Sequence, residues 1–392
     1  MLKQKLYDIL DSKAQEIIEI RRYLHQHPEP SFQEFKTAEY IRKFYEGKDI
    51  EWIRYPVGLN GIAVKIKGGS RGKTIAIRGD FDALPIDDET EVLYKSVNPG
   101  AAHLCGHDAH TAILLETADA LIKVRAELPG DVLIIHQYAE ETTPGGARTM
   151  IEDGVLDNID AIIGGHVWVT DETGKIVVKS GMCMAGRSYF KIIFTGKGGH
   201  GAQPHNCVDP IVAASHFVVA VQSIISRSLN PADPAVLTIG RFEGLGSPNI
   251  IPNTVTLEGN IRICSEEVDS LIEKRLREIL AGTAAAYGCT YELEYKYDFP
   301  PVINDENLVK SARKFIETNS IPELKLGETE LVMGSEDFSF YQQKIPGLYV
   351  FFGAKPDGEF YPHHHPKFNI DESCLISCAK FFAGFAVDFL ED

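Results

Sequence analysis

The sequence has little of what marks membrane, secreted or nucleic-acid-binding proteins. No stretch approaches the roughly 18 consecutive apolar residues of a membrane span. Segment 1–28 lacks the apolar region and the small-residue cleavage site of a signal peptide. Among 392 residues, 39 Lys and Arg face 56 Asp and Glu, a net charge of −17, which opposes attraction to phosphate backbones and anionic membranes. We therefore expect no nucleic-acid or membrane partner.

Cysteine is also scarce. Its seven residues are an odd number spread along the chain, a pattern typical of reduced thiols and not of a disulfide framework. With the missing signal peptide, this predicts a cytoplasmic protein. The sequence also has neither a G-x-S-x-G motif nor a P-loop, so serine hydrolysis and nucleotide binding find no support.

Hydrophobic residues make up 44 % and charged residues 24 % of the chain, values typical of a folded protein with a sizeable core. Strands that alternate with helices predict an α/β sheet covered by helices on both faces. The predicted elements of this part are helices over 5–24, 33–46, 109–124 and 145–153, and strands at 61–66, 74–78, 131–138 and 160–164.

From about residue 187 the order changes to β-α-β-β-α-β, which is the ferredoxin-like arrangement. Its predicted members are strands at 188–196, 235–244, 253–263 and 289–297 and helices at 208–228 and 266–287. Helix and strand alternate again after residue 294, at 305–318, 348–353 and 371–390. We therefore predict a first domain formed by 1–186 and 295–392 and interrupted by a second domain, 187–294.

The densest group of potential metal ligands lies at 103–110, just before a predicted helix. Its sequence, HLCGHDAH, offers imidazole, thiolate and carboxylate groups within eight residues, and Gly106 lets the backbone turn so that neighbours face one ion. Any one of these residues alone is more often a polar residue satisfied inside the core. As a cluster they favour metal binding.

Further candidates follow apolar strands or lie in a late loop. Glu140 and Glu141 end one strand, and two adjacent carboxylates repel each other unless a cation lies between them; the alternative is a solvated acidic turn. His166 ends another strand, and His363–His365 form a run in a loop. Such His residues are also common in structural positions. Because ligands gather at the carboxyl edge of α/β sheets, the convergence of these residues strengthens the metal hypothesis.

Eight motifs, in order, resemble those of the di-metal amidohydrolase family. Its members include hippurate hydrolase, aminoacylases, indole-acetyl-amino-acid hydrolases and N-acetyl-diaminopimelate deacetylase, relatives of the co-catalytic zinc exopeptidases. The motifs are RGDFDALP (78–85), CGHDAH (105–110), YAEE (138–141), GGHVW (164–168), GKGGHGAQPH (196–205), NIIPNTVTLEGNIR (249–262), SEDFSFY (335–341) and HHHPKFNIDE (363–372). The resemblance implies a larger metallopeptidase-like α/β catalytic domain with an inserted ferredoxin-like lid.

The resemblance also implies two divalent metal ions per chain, which would be Zn, Mn, Co or Ni. The implied ligands are Cys105, His107, Glu141, His166 and His364. Glu140, beside a ligand, becomes the catalytic base that takes a proton from water and delivers it to the departing amine. Cys105 stands where other branches of the superfamily have a bridging Asp, which ties the chain to the Cys-containing branch.

Two of the implied assignments depend on the position of a residue within its motif. His364 matches the family ligand as the His two places before a Pro, and its neighbours His363 and His365 are the alternatives within the run. Asp80 and Asp82 resemble an acidic pair that orients ligating His rings.

The inserted domain contributes the other implied residues. His200, in a glycine-rich turn, matches the lid His that donates to the developing oxyanion. Arg262 lies on the polar face of a strand, and its guanidinium can bind a substrate carboxylate in a bidentate manner, with Asn249 nearby in family members. A surface-loop His and a solvated Arg are the alternatives. The resemblance also allows a homodimer through the lid.

The leading hypothesis is hydrolysis of an N-acyl-amino acid to a carboxylic acid and a free amino acid. A dipeptidase or aminopeptidase on the same metals is the nearest alternative, but it needs an acidic group for a free α-amine, and we see no dedicated candidate. A thiol hydrolase would use Cys105 as nucleophile with His107 as base. A non-catalytic binding protein is disfavoured because Glu140 accompanies the ligand set.

Overall fold

The computed structural model describes residues 1–318, 321–328 and 331–392, and only the backbone of residues 54 and 55. Contacts divide the described chain into two compact units. The first unit comprises the described residues of 1–183, 303–330 and 337–392, and the second comprises 184–302 and 331–336. Residues 184–186, 295–302 and 331–336, which the predicted boundaries assign to the first domain, belong to the second unit.

Helices and strands are distributed along the whole described chain. Up to residue 184 the elements are α1 (Leu2–Asp11), α2 (Ala14–Gln26), α3 (Phe35–Phe44), β1 (Glu51–Val57), β2 (Gly61–Ile66), β3 (Thr74–Asp80), α4 (His107–Val124), β4 (Asp131–Gln137), α5 (Gly146–Glu152), β5 (Ala161–Glu172), β6 (Lys175–Val177) and β7 (Gly181–Met184). The next elements are β8 (Gly186–Thr195), β9 (Gly199–His200), α6 (Pro210–Val221), β10 (Val236–Glu243), β11 (Ile250–Ile251), β12 (Thr254–Ile263), α7 (Glu266–Tyr287) and β13 (Thr290–Phe299). The last elements are β14 (Val302–Asn304), α8 (Glu306–Thr318), β15 (Lys325–Gly327), α9 (Ser339–Gln342), β16 (Gly347–Lys355) and α10 (Cys374–Glu391).

A mixed eight-stranded sheet forms the centre of the first unit, in the order β1-β2-β4-β3-β5-β16-β6-β15. Its central strands β4, β3, β5 and β16 run parallel to one another. All seven residues of β3 are buried, as expected for a strand covered on both faces, which shows no alternation of apolar and polar residues. The predicted α/β fold is confirmed, and the carboxyl ends of these strands supply the candidate site.

The second unit has an antiparallel sheet in the order β10-β12-β8-β13, covered on one face by α6 and α7. Alternate residues of β12, such as Leu257 and Ile261, are fully buried. A methyl group at Gly259 would lie 2.3 Å from the Phe190 ring, so this position accepts glycine alone. This strand order is the ferredoxin-like one, which confirms the predicted lid fold.

The second unit also presents an apolar helix face. Segment Pro210–Ser228 is long and apolar enough to cross a membrane, judged by length and composition alone. Phe217 and Val221 lie in the core of the unit, as in the core helix of a folded domain. Val212 and Val219 are exposed, the latter by 75 %. One side of α6 therefore leaves apolar surface uncovered.

Several predicted boundaries differ from the structure. The single helix predicted over 5–24 is two helices, because the chain turns at Ser12, whose hydroxyl donates to the Ile9 carbonyl 2.6 Å away, a local bond that competes with helix formation. The helix predicted over 208–228 has a π-helical end at Ile224–Ser228. β1 had no prediction, and β5 continues to Glu172 because β16 pairs with it as far as that residue.

Candidate active site

Gly106 brings Cys105 and His107 together at the start of α4. Its backbone is left-handed, with φ of 100°, and a methyl group there would lie 2.4 Å from the Val167 side chain. Only glycine adopts such a conformation readily and fits this space. Cys105 thus lies directly before the helix, and His107 is its first residue.

The His107 ring is held by one carboxylate. Its Nδ1 lies 3.0 Å from Asp82 Oδ1 and 3.1 Å from the Asp82 carbonyl oxygen, so Nδ1 carries the proton and donates it. The buried Nε2 has no hydrogen-bond partner among the described residues. Burial alone would lower the pKa of His107, but Asp80 and Asp82 outweigh it and hold that pKa well above its usual value. The bond at Nδ1 orients Nε2 toward the other candidate ligands, where a bound cation would take the place of the Nε2 proton.

A tight turn after β4 carries the two glutamates. Ala139 has φ of 50°, and its N–H donates to Glu34 Oε1 at 2.8 Å, while its carbonyl accepts from the Gly146 N–H at 3.0 Å. Burial, and secondarily Asp82, raises the pKa of Glu34 to about 7. These bonds stabilise a backbone conformation that a non-glycine residue seldom adopts. Glu34 is not among the residues predicted for the site.

The turn buries Glu140 and most of the Glu141 side chain, which is 9 % exposed. Glu140 is 7 % exposed, and the Glu141 N–H donates to Asp82 Oδ2 at 3.0 Å. The buried Glu141 Oε1 has no hydrogen bond of good geometry. Burial of two adjacent carboxylates is unfavourable without a cation, so the solvated acidic turn considered above does not describe this site.

His166 lies within β5, which corrects the prediction that it ends its strand. Its Nδ1 donates to the Val167 carbonyl at 2.7 Å. Its Nε2 lies 3.4 Å from Cys105 Sγ. Burial, then the neighbouring His110 and His363, hold the pKa of His166 well below its usual value. The ring is therefore neutral at ordinary pH, as a metal ligand requires.

The three residues of the run His363–His365 lie in different environments. His364, with φ of 68°, lies with Nε2 3.2 Å from Glu141 Oε1. His363 instead donates from Nε2 to the Val167 carbonyl at 3.0 Å. His365 stacks on Tyr361, with ring centroids 4.5 Å apart. Within the run, His364 alone lies beside Glu141.

The predicted ligands therefore meet in the first unit. Their atoms form three overlapping groups, each with all ligand atoms within 4.8 Å of one another. The groups are Cys105, His107 and His166; Cys105, Glu141 and His364; and His107, Glu140 and Glu141.

The donor set fits a divalent cation. His107 Nε2 and Glu141 Oε1 are buried polar atoms that lack a hydrogen bond within the described chain. Burial, and then the Glu141 charge, hold the pKa of the Cys105 thiol well above its usual value. A cation among these atoms would offset all three costs, and thiolate with imidazole and carboxylate is a set that zinc and similar metals accept.

Asp80, the last residue of β3, and Asp82, two residues later, contact different histidines. Asp82 bonds directly to His107, whereas Asp80 Oδ1 lies 3.8 Å from His107 Nδ1 and bonds to His110 at 2.6 Å. Arg78 joins Asp80 at 2.6 Å and Asp337 at 2.9 Å, all of them buried. Arg78 and Asp337 are not among the predicted site residues, although they lie in the motifs RGDFDALP and SEDFSFY.

His200 and Asn249 are neighbours in the second unit. β9 pairs with β11, and the Gly201 N–H donates to the Asn249 carbonyl at 2.8 Å. The exposed His200 accepts at Nδ1 from the Ala202 N–H at 3.1 Å. In its neutral form the ring therefore carries its proton on Nε2, a donor directed away from its own turn.

Arg262 and Arg187 lie opposite each other on β12 and β8. Arg187 donates to Asp298 at 2.6 Å and packs over the Phe299 ring, its guanidinium carbon 4.1 Å from the ring centroid. Arg262 donates to the Ser335 hydroxyl at 2.9 Å. Within the described parts of the chain no carboxylate pairs with it. Burial, then Arg187, lower the pKa of Arg262.

Comparison with known proteins agrees with this chemistry. Residues 76–388 match Peptidase family M20/M25/M40. A crystal structure of a protein from methicillin-resistant Staphylococcus aureus is 45 % identical, with a TM-score of 0.94, and the match covers 99 % of this chain and 100 % of that one.

Two proteins of Bacillus subtilis extend the comparison. The crystal structure of YxeP, a dinuclear metal-binding peptidase of the M20 family, is 36 % identical with a TM-score of 0.85, over 97 % of this chain and 99 % of that one. An N-acetylcysteine deacetylase is 39 % identical over 96 % of this chain and 97 % of its own length.

Proposed function

This chain belongs to peptidase family M20/M25/M40 and is a metal-dependent hydrolase of carbon–nitrogen bonds, and on that premise we propose that it cleaves N-acyl-amino acids to a carboxylic acid and a free amino acid. The observation that carries the proposal is the buried ligand cluster of the first unit with Glu140 beside it. The similar N-acetylcysteine deacetylase acts on a substrate of this class by its name.

We propose that two divalent ions are held by Cys105, His107, Glu141, His166 and His364. Two of the ligand groups share Cys105, which suits a pair of ions more than a single one. Such ions supply Lewis acidity toward the amide carbonyl and lower the pKa of water. The mixed ligand set accepts Zn, Mn, Co or Ni.

Glu140 is the proposed general base. It takes the proton of the attacking water and delivers it to the departing amine nitrogen. Its backbone position is fixed by the bonds that hold Ala139, so the carboxylate is oriented before the substrate arrives. Glu141, the next residue, serves as ligand.

Arg262 is the proposed partner of the substrate carboxylate. Asp298 bonds to the neighbouring Arg187, whereas Arg262 has only a neutral hydroxyl partner among the described residues. An unneutralised, half-buried guanidinium favours a carboxylate ligand. Asn249 is proposed as a second contact.

We expect substrates to need a free α-carboxylate. The measurement compares kcat/KM for an N-acyl-amino acid and its carboxamide, in the wild type and in Arg262→Met. The carboxamide should be poorer by about tenfold or more, a charge-assisted contact being worth about 1.5–3 kcal/mol, and Arg262→Met should remove most of that preference. Equal kcat/KM for both substrates in the wild type would reject the contact.

His200 is the proposed donor to the oxyanion. His200→Ala should lower kcat by about 10²–10³ with a smaller change in KM, because the bond strengthens as charge develops. Metal content, measured by elemental analysis, should not change. The matched control is His216→Ala, which removes an exposed His of the same unit that stacks on Tyr287. Loss of metal in His200→Ala would contradict the assignment.

The nearest alternatives share parts of this site. A dipeptidase or aminopeptidase would prefer a free α-amine, so a panel of N-acyl-amino acids and dipeptides separates it from the proposed activity. A thiol hydrolase would use Cys105, but burial raises the pKa of that thiol, whereas a nucleophilic cysteine needs a lowered one. Loss of activity on chelation, with recovery when divalent ions are added, would support the metal enzyme. Activity that survives chelation but is lost on alkylation of the thiol would support the thiol enzyme.

A homodimer through the second unit and a cytoplasmic location complete the proposal. The exposed apolar side of α6, with Val212 and Val219, supports a protein partner there. Light scattering measures the mass. If a dimer forms, His200→Ala protein is mixed with Glu140→Gln protein. Activity in the mixed dimers would mean that His200 serves the site of the neighbouring chain.

A further inference from the structure

We propose that His110 is a positioning residue that fixes His166 through the peptide joining His166 to Val167. The inference rests on the proposed function, because it takes His166 as a metal ligand. His110 is the last His of the 103–110 cluster, lies one turn into α4 and is 5 % exposed. The catalytic scheme above gives it no task.

Hydrogen bonds determine the state of the His110 ring. The Val167 N–H can only donate, and it lies 3.0 Å from His110 Nε2, so this nitrogen accepts. The proton is therefore on Nδ1, which donates to Asp80 Oδ1 at 2.6 Å. Arg78 in turn donates to Asp80. His110 is thus a neutral imidazole held at both nitrogens.

The Val167 N–H needs this partner because the sheet ends beside it. β3 pairs with β5 only as far as Gly164, while β16 continues along the other side. Beyond Gly164, no strand of the described residues pairs with β5 on the β3 side. The His110 imidazole accepts the hydrogen bond there instead. A buried N–H without an acceptor would otherwise destabilise this end of the strand.

The backbone that His110 restrains at Val167 adjoins the proposed ligand His166. The Val167 carbonyl accepts from His166 Nδ1, and His166 Nε2 lies 3.4 Å from Cys105 Sγ. The N–H that His110 holds and the carbonyl that orients the His166 ring belong to the same residue, so a displacement of Val167 would move this carbonyl and the adjoining His166 backbone. Residues that hold a ligand in this way affect metal affinity without touching the ion.

Matched variants separate this contact from the one to Asp80. His110→Gln places an amide oxygen near the position of Nε2 and still reaches the Val167 N–H. His110→Asn ends near the position of Nδ1, so it reaches Asp80 but not Val167. His136→Gln is the control, because His136 is a buried His of β4 that bonds to the Tyr45 hydroxyl at 2.8 Å and to no proposed ligand.

Co²⁺ is the probe, with affinity measured by competition with a chelator and ligand geometry by the visible spectrum of the bound ion. His110→Asn should bind Co²⁺ about 10–100-fold more weakly than the wild type, with an altered spectrum. His110→Gln and His136→Gln should stay close to the wild type in both respects. Thermal unfolding of the same samples verifies that each variant is folded.

Two results would overturn the inference. One is wild-type affinity and spectrum in His110→Asn. The other is an equal loss in His110→Gln and His110→Asn, which would assign the effect to Asp80 or to the imidazole itself. A wild-type protein that binds no Co²⁺ would instead contradict the proposed metal site. Failure of the proposed function and failure of this inference therefore give different results.

Discussion

Glu140→Gln should lower kcat by about 10²–10⁴ while the protein keeps its metal, because an amide is isosteric with the carboxylate but cannot accept the proton of water. The turn itself is held by backbone bonds of Ala139, which this change leaves intact. Steady-state kinetics and elemental analysis on one preparation measure both quantities.

Glu141→Gln is the matched comparison, since it makes the same chemical change one residue away. This variant should lose metal as well as activity. A Glu140→Gln protein with near-normal kcat would mean that the base is another residue. If the two variants lost metal equally, both glutamates would be ligands and the proposed division of roles would be rejected.

Cys105→Ala should lower metal content and activity together, since two of the three ligand groups include its sulfur. His166→Ala should have the same effect, because its Nε2 lies beside that sulfur. We expect activity to fall by about 10³ or more, in line with the several kcal/mol that metal ions contribute to transition-state stabilisation.

Controls with the same residue types separate ligand loss from loss of packing. Cys374→Ala removes a buried cysteine of α10, and His365→Ala removes the His that stacks on Tyr361. Both variants should keep wild-type metal content. Full activity of wild-type protein from which metal has been removed, as verified by elemental analysis, would reject the mechanism.

The sequence predicts the α/β class from local patterns, and the same patterns place candidate ligands at the ends of strands and at the start of a helix. The apolar run of β4 followed at once by Glu140 and Glu141 places a carboxylate pair at a strand end. The left-handed Gly106 and the alternation of β12 are local as well. These features need no knowledge of distant contacts.

Other features depend on contacts between residues far apart in the chain. Glu34 supports Ala139, and Asp337 pairs with Arg78, so neither role is visible in a window of sequence. The length of β5 depends in the same way on β16, whose Phe351 pairs with His166. The prediction that His166 ends its strand failed for this reason.

The strand order of the first unit also has a consequence for synthesis of the chain. β16 lies between β5 and β6 in the sheet, yet a ribosome makes it only after residues 184–302, the main part of the second unit. The strands of the second unit are therefore synthesised before β16. Until β16 is made, the sheet of the first unit has an unpaired edge at β5. Closing contacts between such distant segments is slow, and exposed edges promote aggregation. We infer that the nascent first unit is the part of this protein with the greater need for chaperones.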